Sequence, residues 1–465
     1  MPVNAGGLGM NVRQSATAIL SELAQSAADR VKVAVCDIDG VLRGKSLDKD
    51  YFLTSAVRGF GFCDVVFGWD SSDACYDNVA YTGWHTGYPD ARARVDLATH
   101  RRIPWEDNQD FFLCDFEDAK GRPLGVCPRQ LLKGVESRLR DAGFASKVGF
   151  EFEWFNFRET PQGLAEKRYQ GLTPLTPGMF GYSILRAGQN SDFFSALTSD
   201  LKGFDVPLEG IHTETGPGTY EAAIRCADGL EAADRAVLFK TAVKQIAHRF
   251  GIVASFMARW NKALPGCGGH IHESLIDLKT GESAFHDPGA PGSMTPAFES
   301  FLAGQMHCLP ELLPLFAPTV NSYKRLVKGY WAPTSVTWGR DNRTVCFRVI
   351  FGSAASARLE CRVGGADLNP YLALAASLAS GLYGIENNMK LTAPQVSGNG
   401  YEHDAAVALP RDLGQAAEAL ANSKIARTLL GDAFVEHFVN TRLWEWRQYQ
   451  TAVTDWELER YFEII

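Results

Sequence analysis

The sequence predicts an α+β fold in two unequal domains, on three observations. From about residue 31 to residue 127, short β-like runs are cut by Gly, Pro and Asp turns. From Pro128 an amphipathic helical pattern opens a long stretch in which strands and helices alternate to the C-terminus. With 465 residues and 46% hydrophobic content, the chain holds more core than one small domain requires.

Residues 1–30 read as a short helical lead-in, with Ala18, Leu20, Leu23 and Ala24 at helical spacing. "VKVAVCDI", "CDVVFGW" and "DFFLCDFEDAKGRPLG" supply strands of a first domain over 31–127. "VCPRQLLKGVESRLRDAGF" opens the second domain, 128–465, with a helix. The most apolar late stretch, 371–385, carries Ser377 and Ser380 and is too short for a bilayer, so it reads as a buried helix. Residues 394–409 read as an exposed loop.

The net charge of −8 and the lack of any basic face argue against nucleic acid or an anionic membrane as partner. Ten cysteines are scattered singly without a C-x-x-C pair, as expected of reduced core thiols rather than disulfides or a zinc site. The N-terminus lacks the basic-then-apolar pattern of a secretory signal, so a cytoplasmic location is expected.

"VAVCDIDGVLRGK" runs from an apolar strand into Asp-x-Asp-Gly, the arrangement in which dehalogenase-type phosphatases hold a nucleophilic aspartate. Such an enzyme also needs a distal acidic pair. "GDAFVEHFV" at 431–439 mimics that pair only superficially, inside a helical pattern and far beyond one such domain. Asp37 is therefore expected to be structural.

The strongest chemical signal is "VGFEFEWFNF". Strand alternation sends Val148, Phe150, Phe152 and Trp154 to one face and Glu151 and Glu153 to the other. Alone, the pair also fits a solvated edge strand. Three further segments argue for a site. "EGIHTETGPGTYEAAI" puts Glu214 and Glu221 on either side of a Gly-Pro-Gly turn. "PGCGGHIHESL" puts His270 and His272 on one strand face, and "ARLECRV" does the same for Arg358, Glu360 and Arg362. Carboxylates with imidazoles and no thiolate pair favour Mg²⁺ or Mn²⁺ over Zn²⁺. Arg325, Arg343 and Arg348 add fixed guanidinium groups, and no P-loop is present. Divalent ions beside arginines describe phosphoryl transfer.

With these residues in view, the chain resembles the glutamine synthetase superfamily from about residue 31 onward. The motifs that carry the resemblance include "DIDGVLRGK", "EFE", "HTETGPGTYEAA", "GHIHESL", "NSYKRLV", "DNRTVCFR", "RLECR" and "GADLNPYLALAASLASG". The resemblance implies an N-terminal β-grasp domain and a catalytic domain whose curved antiparallel sheet forms a half-barrel flanked by helices. It also implies a homo-oligomer, a dodecamer of two hexameric rings with active sites between subunits. ATP is the implied co-substrate, with two or three Mg²⁺ or Mn²⁺ ions per site.

Glu153, Glu214 and Glu221 resemble the ligands of one metal; Glu151, His270 and Glu360 resemble those of another. His272, Ser274, Arg343 and Arg348 match nucleotide- and phosphate-side positions. Strand parity faces Arg348 to the site but not Arg343, which must use a bend. Gly266, Arg325 and Arg362 match glutamate-binding positions. Arg343, Glu214 and Asp70 match catalytic positions, Asp70 reaching in from a neighbouring subunit.

The chain also departs from the ammonia-using members. Their flap carries Gly-Tyr-Glu-Ala-Pro, and here "GYWAP" puts Trp331 in place of that Glu. Thr219 replaces a Gln before the metal-binding Glu, and Pro265 replaces the Asn of an Asn-Gly loop. The segment around Tyr401 does not reproduce the adenylylation motif. The combination resembles the γ-glutamyl-amine ligases, which join L-glutamate to an organic amine through a γ-glutamyl phosphate. Trp331, Tyr182 and Asp70 are then the expected amine pocket. An ammonia-using glutamine synthetase and a catalytically inactive structural relative are the alternatives.

Overall fold

The computed structural model describes residues 15–289, 292–403 and 406–465. Part of the expected lead-in, residues 1–14, lies outside them. The rest is a helix, Ala16–Gln25, capped by Ser15. Its buried face is Ile19 and Leu23, one turn apart, while Ala18 and Ala24 are exposed. The larger side chains take the buried face because they remove more apolar area from water.

The first sheet is built from β1 (Arg30–Cys36), β2 (Leu42–Asp48), β3 (Phe60–Cys63), β4 (Asp90–Val95), β5 (Arg101–Ile103) and β6 (Gln109–Glu117). Its order is β2-β1-β6-β4-β3, with β5 on β6. β1 and β2 form an antiparallel hairpin, and β6 lies parallel to β1. The helix Lys49–Arg58 buries Phe52 and Ala56 against this sheet, which gives a β-grasp arrangement.

The second sheet contains β7 (Phe144–Phe157), β8 (Leu208–Thr213), β9 (Thr219–Ile224), β10 (Ala227–Asp228), β11 (Val253–Ser255) and β12 (Gly269–Asp277). After β13 (Ser335–Val336), it continues with β14 (Trp338–Arg340), β15 (Phe347–Ile350) and β16 (Arg358–Cys361). The order is β14-β15-β16-β12-β7-β9-β8, almost entirely antiparallel, with β10 and β11 on β7. Its apolar face packs on Gly229–Arg249 and neighbouring helices, completing the curled half-barrel. The helix Pro370–Glu386 is buried on nearly every side, as its sequence predicts. No helix among the described residues is long and apolar enough to cross a membrane. All ten cysteines are free thiols.

The "DIDG" turn joins the two sheets' surroundings. Asp37 is buried; its Oδ1 accepts from the amides of Asp39 (3.0 Å) and Val41 (2.8 Å), and its Oδ2 from Arg43 Nε (2.9 Å). Gly40 at φ +81° lets Asn369 approach so closely that a Cβ would stand 3.1 Å from its Cα. Asn369 caps the 370–386 helix and donates to the carbonyls of Asp37 (3.1 Å) and Ile38 (3.2 Å). Asp39 accepts from the buried Arg442 on the helix Asp432–Thr451. Asp37 is a turn cap, and 431–439 belongs to that helix. Among the described residues no phosphatase arrangement surrounds Asp37.

Residues 394–403 and 406–409 form a mostly exposed loop that is pinned at three buried points, Val396, Gly400 and Leu409. Its β17 (Val407–Ala408) pairs with β13.

Candidate active site

The polar face of the second sheet is a row of side chains set by register. Across β7 and β9, Glu153 faces Glu221, and across β9 and β8, Glu221 faces His212. On the other side of β7, His270 of β12 faces Glu151. Further along, Glu360 of β16 lies between His272 and Arg348 of β15. The apolar partners Val148, Phe150, Phe152 and Trp154 are all buried beneath, so alternation alone drives the carboxylates to the open face.

Two groups have ligand atoms within 4.8 Å of one another: Glu151 with His272 and Glu360, and His212 with Glu214 and Glu221. His270 Nδ1 is 2.9 Å from Glu151 Oε1 and 3.7 Å from Glu360 Oε1, at the edge of the first. Glu153 stands outside both, its Oε2 accepting from the Gly268 amide at 2.9 Å. A Cβ on Gly268 would lie 2.5 Å from His270 Nε2 and 2.8 Å from Glu153 Oε1, so only glycine leaves both side chains room.

His212 was missed in the sequence. It shares strand parity with Glu214 in "HTE", which is the signal that finds it. Its Nε2 is 3.0 Å from Glu221 Oε1. Burial lowers its pKa, but the hydrogen bond and charge of Glu221 outweigh that and push it up to about 9. Glu153 and Glu221 are each pushed up to about 7, first by burial and then by neighbouring carboxylates. Glu360 goes the other way, to about 2: burial opposes ionisation, but Arg362, His272 and His270 overcome it. Arg348 donates to Glu360 (2.7 Å) and to Asp341 (2.6 Å), and Arg362 also donates to Glu360.

Arg343 sits exposed in the turn between β14 and β15, the bend that strand parity demanded of it. Ser274 continues the His270–His272 face of β12. Arg358 Nε lies 3.2 Å from His272 Nδ1. Arg325 is buried and donates to the carbonyls of Val363 (3.0 Å) and Arg362 (3.3 Å), with Gly266 packed on its stem. Tyr182 lies over the His212 ring, centroids 4.3 Å apart. Trp331 is 54% exposed and held at φ +59°, next to Tyr330, which takes the Arg259 guanidinium on its face. Asp70 does not join these groups within one chain. Its Oδ1 caps a turn, accepting from Ser72 (2.8 Å) and Ala74 (2.9 Å).

Several buried polar atoms of this face have no hydrogen-bond partner among the described residues: Glu214 Oε2, His270 Nε2, His272 Nε2 and Arg362 Nε. A folded chain rarely leaves such atoms unmet, so they point to ligands. The oxygen of Glu214 and the imidazole nitrogens offer lone pairs beside carboxylates, with no thiolate in either group, which fits a hard divalent cation, whereas Arg362 Nε is an N–H that suits an anion.

Residues 125–461 match the family model described as "Glutamine synthetase, catalytic domain". The chain belongs to the glutamine synthetase family. Members are ligases that use ATP, divalent metal and glutamate with ammonia or an amine. This glutamine synthetase relative is 54% identical to "Type-1 glutamine synthetase 2" of Dictyostelium discoideum, over 96% of the chain and 86% of that protein. It is 37% identical to a glutamate–isopropylamine ligase of a Pseudomonas species, over 94% and 95%. The solved GmaS/ADP complex superposes with a TM-score of 0.82 at 28% identity, covering 96% of this chain and 99% of that one.

Proposed function

We propose that the protein is an ATP-dependent γ-glutamylamide synthetase whose acceptor is an organic amine. The γ-phosphoryl group of ATP passes to an oxygen of glutamate's γ-carboxylate, and ADP leaves. The amine nitrogen then attacks the acyl carbon, gives up a proton, and phosphate departs. Glu214 and Glu221 with Glu153 or His212 would hold one divalent ion; Glu151 and Glu360 with His270 or His272 would hold another. Mg²⁺ or Mn²⁺ bound there would neutralise charge on the phosphates. Arg343, Arg348 and Ser274 line the phosphate side, while Arg325, Arg362 and the Gly266 backbone orient glutamate. Tyr182, lying over His212 at 4.3 Å with Glu214 3.9 Å from that imidazole, would wall the acceptor pocket. Assembly into two hexameric rings, with a neighbour's Asp70 completing that pocket, belongs to the same proposal.

The observation that carries it is Trp331. A side chain that only packed the flap would be covered, yet this one is 54% exposed and held in left-handed backbone geometry. Bulky residues avoid that region, and strain of this kind gathers at ligand sites. Where the ammonia-using members place a Glu, an indole offers no anion to hold ammonium and no base to deprotonate it. An organic amine instead gains about 0.8 kcal/mol per buried methylene, and an alkylammonium about 0.5–2 kcal/mol from the indole face. The identity of 37% to an isopropylamine ligase supports the same class, and a role in amine catabolism belongs to the same proposal.

An ammonia-using glutamine synthetase is the second reading, favoured by the 54% identity to a protein of that name. The intact donor set speaks against a catalytically inactive relative. A panel of alkylamines, ethanolamine, polyamines, aniline and ammonia, scored by glutamate-dependent phosphate release, tests the proposal. At least one organic amine is expected to exceed ammonia in kcat/KM by about tenfold or more, the worth of two methylenes. Ammonia equalling every amine would establish the second reading.

A further inference from the structure

Arg259, just past β11, meets three parts of the chain at once. Its backbone is gripped by Asn321, whose Oδ1 accepts from the Arg259 amide and whose Nδ2 donates to the Arg259 carbonyl, both at 2.8 Å. Its guanidinium nitrogens all point at main-chain carbonyls. Nε donates to Asn261 (3.4 Å), one terminal nitrogen to Lys262 (2.8 Å) and the other to Lys324 (2.7 Å). Asn261 and Lys262 open the stretch that leads to Gly266, and Lys324 precedes Arg325 in the short helix Ser322–Arg325. Gly266 fits tightly between the same two elements. A Cβ there would stand 2.3 Å from the Ala258 carbonyl oxygen and 2.9 Å from Arg325 Cγ. The fork of Arg259 therefore braces the Gly266 stretch against the Arg325 helix.

The flat face of the guanidinium remains, and Tyr330 covers it with its ring centroid 4.4 Å away. With its edge held by carbonyl dipoles rather than a carboxylate, the cation keeps its charge for that ring. Tyr330 lies in the turn 328–331, between Gly329 at φ +84° and Trp331 at φ +59°. A bulky residue in left-handed geometry relaxes unless its surroundings hold it. Ala332 and Pro333 are buried just after Trp331, and the Tyr330 ring on Arg259 fastens the turn just before it.

We propose that Arg259 is a positioning residue that joins the glutamate elements to the amine pocket. Its fork sets Gly266 and Arg325, and its face seats Tyr330 so that Trp331 is presented to the acceptor. The inference rests on the ligase reading above, which supplies the roles of Gly266, Arg325 and Trp331. A lysine could not replace it, because a point charge has neither the fork nor the flat face.

Three variants of the whole enzyme separate the two jobs. Tyr330→Leu removes the ring and leaves the carbonyl bonds in place, Tyr330→Phe keeps the ring, and Arg259→Lys keeps only the charge. KM values are taken for glutamate, ATP and the best acceptor, with thermal midpoints beside them. Tyr330→Leu is expected to raise the acceptor KM by about three- to thirtyfold, the usual worth of a cation–π contact. Its glutamate and ATP KM values stay at wild type, as do all three for Tyr330→Phe. Arg259→Lys raises the glutamate and acceptor values together and leaves ATP alone; should it fail to assemble, the Tyr330 pair decides. An acceptor KM unmoved by Tyr330→Leu, whatever the thermal midpoint does, overturns the inference. So does a rise shared by ATP, or a Tyr330→Phe enzyme as impaired as Tyr330→Leu. If ammonia proves the best acceptor of wild type, the organic-amine reading falls, while Arg259 is still judged by the same shifts in the ammonia KM.

Discussion

The cluster around Arg129 and the carboxylate face of the second sheet both bury several charges, and they treat them differently. Arg129 opens the helix Pro128–Asp141 and ties Asp234 (2.8 Å, both oxygens) to Asp115 (2.9 and 3.0 Å) and Asp96 (3.0 Å). Tyr371 adds a bond to Asp234 at 2.7 Å, and Lys133 one to Asp96 at 3.1 Å. No atom of the Arg129 guanidinium or of these aspartates is buried without a partner among the described residues. On the sheet face, unmet atoms remain on Glu214, His270, His272 and Arg362. Charge closed on itself holds domains together; charge left open binds something else.

The contrast has consequences for mutation. The largest effect is expected from Arg129→Met, which takes the guanidinium from three buried or half-buried carboxylates, leaves them chiefly Tyr371 and Lys133, and costs about 3–5 kcal/mol of stability. Chemical denaturation should show that loss, with normal turnover per folded molecule at low temperature. A mild change would mean that the aspartates find other partners.

Glu221→Gln should do the reverse. Removing an anion from the proposed metal site is expected to cut ligation by more than about a hundredfold, exceeding typical losses from the surrounding shell. Because like carboxylates press on Glu221, the metal-free thermal midpoint should hold or rise. Near-normal turnover at ordinary Mg²⁺ would remove Glu221 from the metal site.

Asp37→Asn belongs with the closed cluster and costs about 1–2 kcal/mol, chiefly the bond from Arg43. Turnover should persist in the folded enzyme, and its loss would give Asp37 a chemical role.

The smallest effect sharpens the comparison, because Glu273 has an unmet Oε1 on the core side of β12. Burial pushes its pKa from 4.5 up to about 7, against hydrogen bonds from Gln305 and Ser377. A carboxyl raised in the folded state contributes stability that is fully present below 4.5 and lost as pH rises through about 7. Glu273→Gln stays neutral, so its melting curve should match wild type near pH 5 and shift upward above pH 7. An equal shift at both pH values would show that protonation is not what satisfies this atom.

Period-two alternation made most of the carboxylate face legible, since it is a local property of each strand. Glu151 with Glu153, His270 with His272, and Arg358 with Glu360 and Arg362 all occupy the faces that parity assigns. His212 obeys the same rule, but its alternation is cut short by the Gly-Pro-Gly turn that follows and does not stand out. The Arg129–Asp234 pair was not legible: the residues are 105 apart, and nothing local in either helix announces the other. Nor does any sequence rule announce Trp331 at φ +59° or Tyr182 at φ +55°. Those geometries come from tertiary constraint on the flap and its neighbouring loop.

The direct test of the central claim is the ratio of kcat/KM for ammonia to that for the best organic amine, measured in wild type and Trp331→Glu. Wild type should favour the organic amine. Restoring the carboxylate should move the ratio toward ammonia by about tenfold or more, as expected for a charge-assisted contact. A wild-type ratio already favouring ammonia, and unmoved by the substitution, would contradict the account.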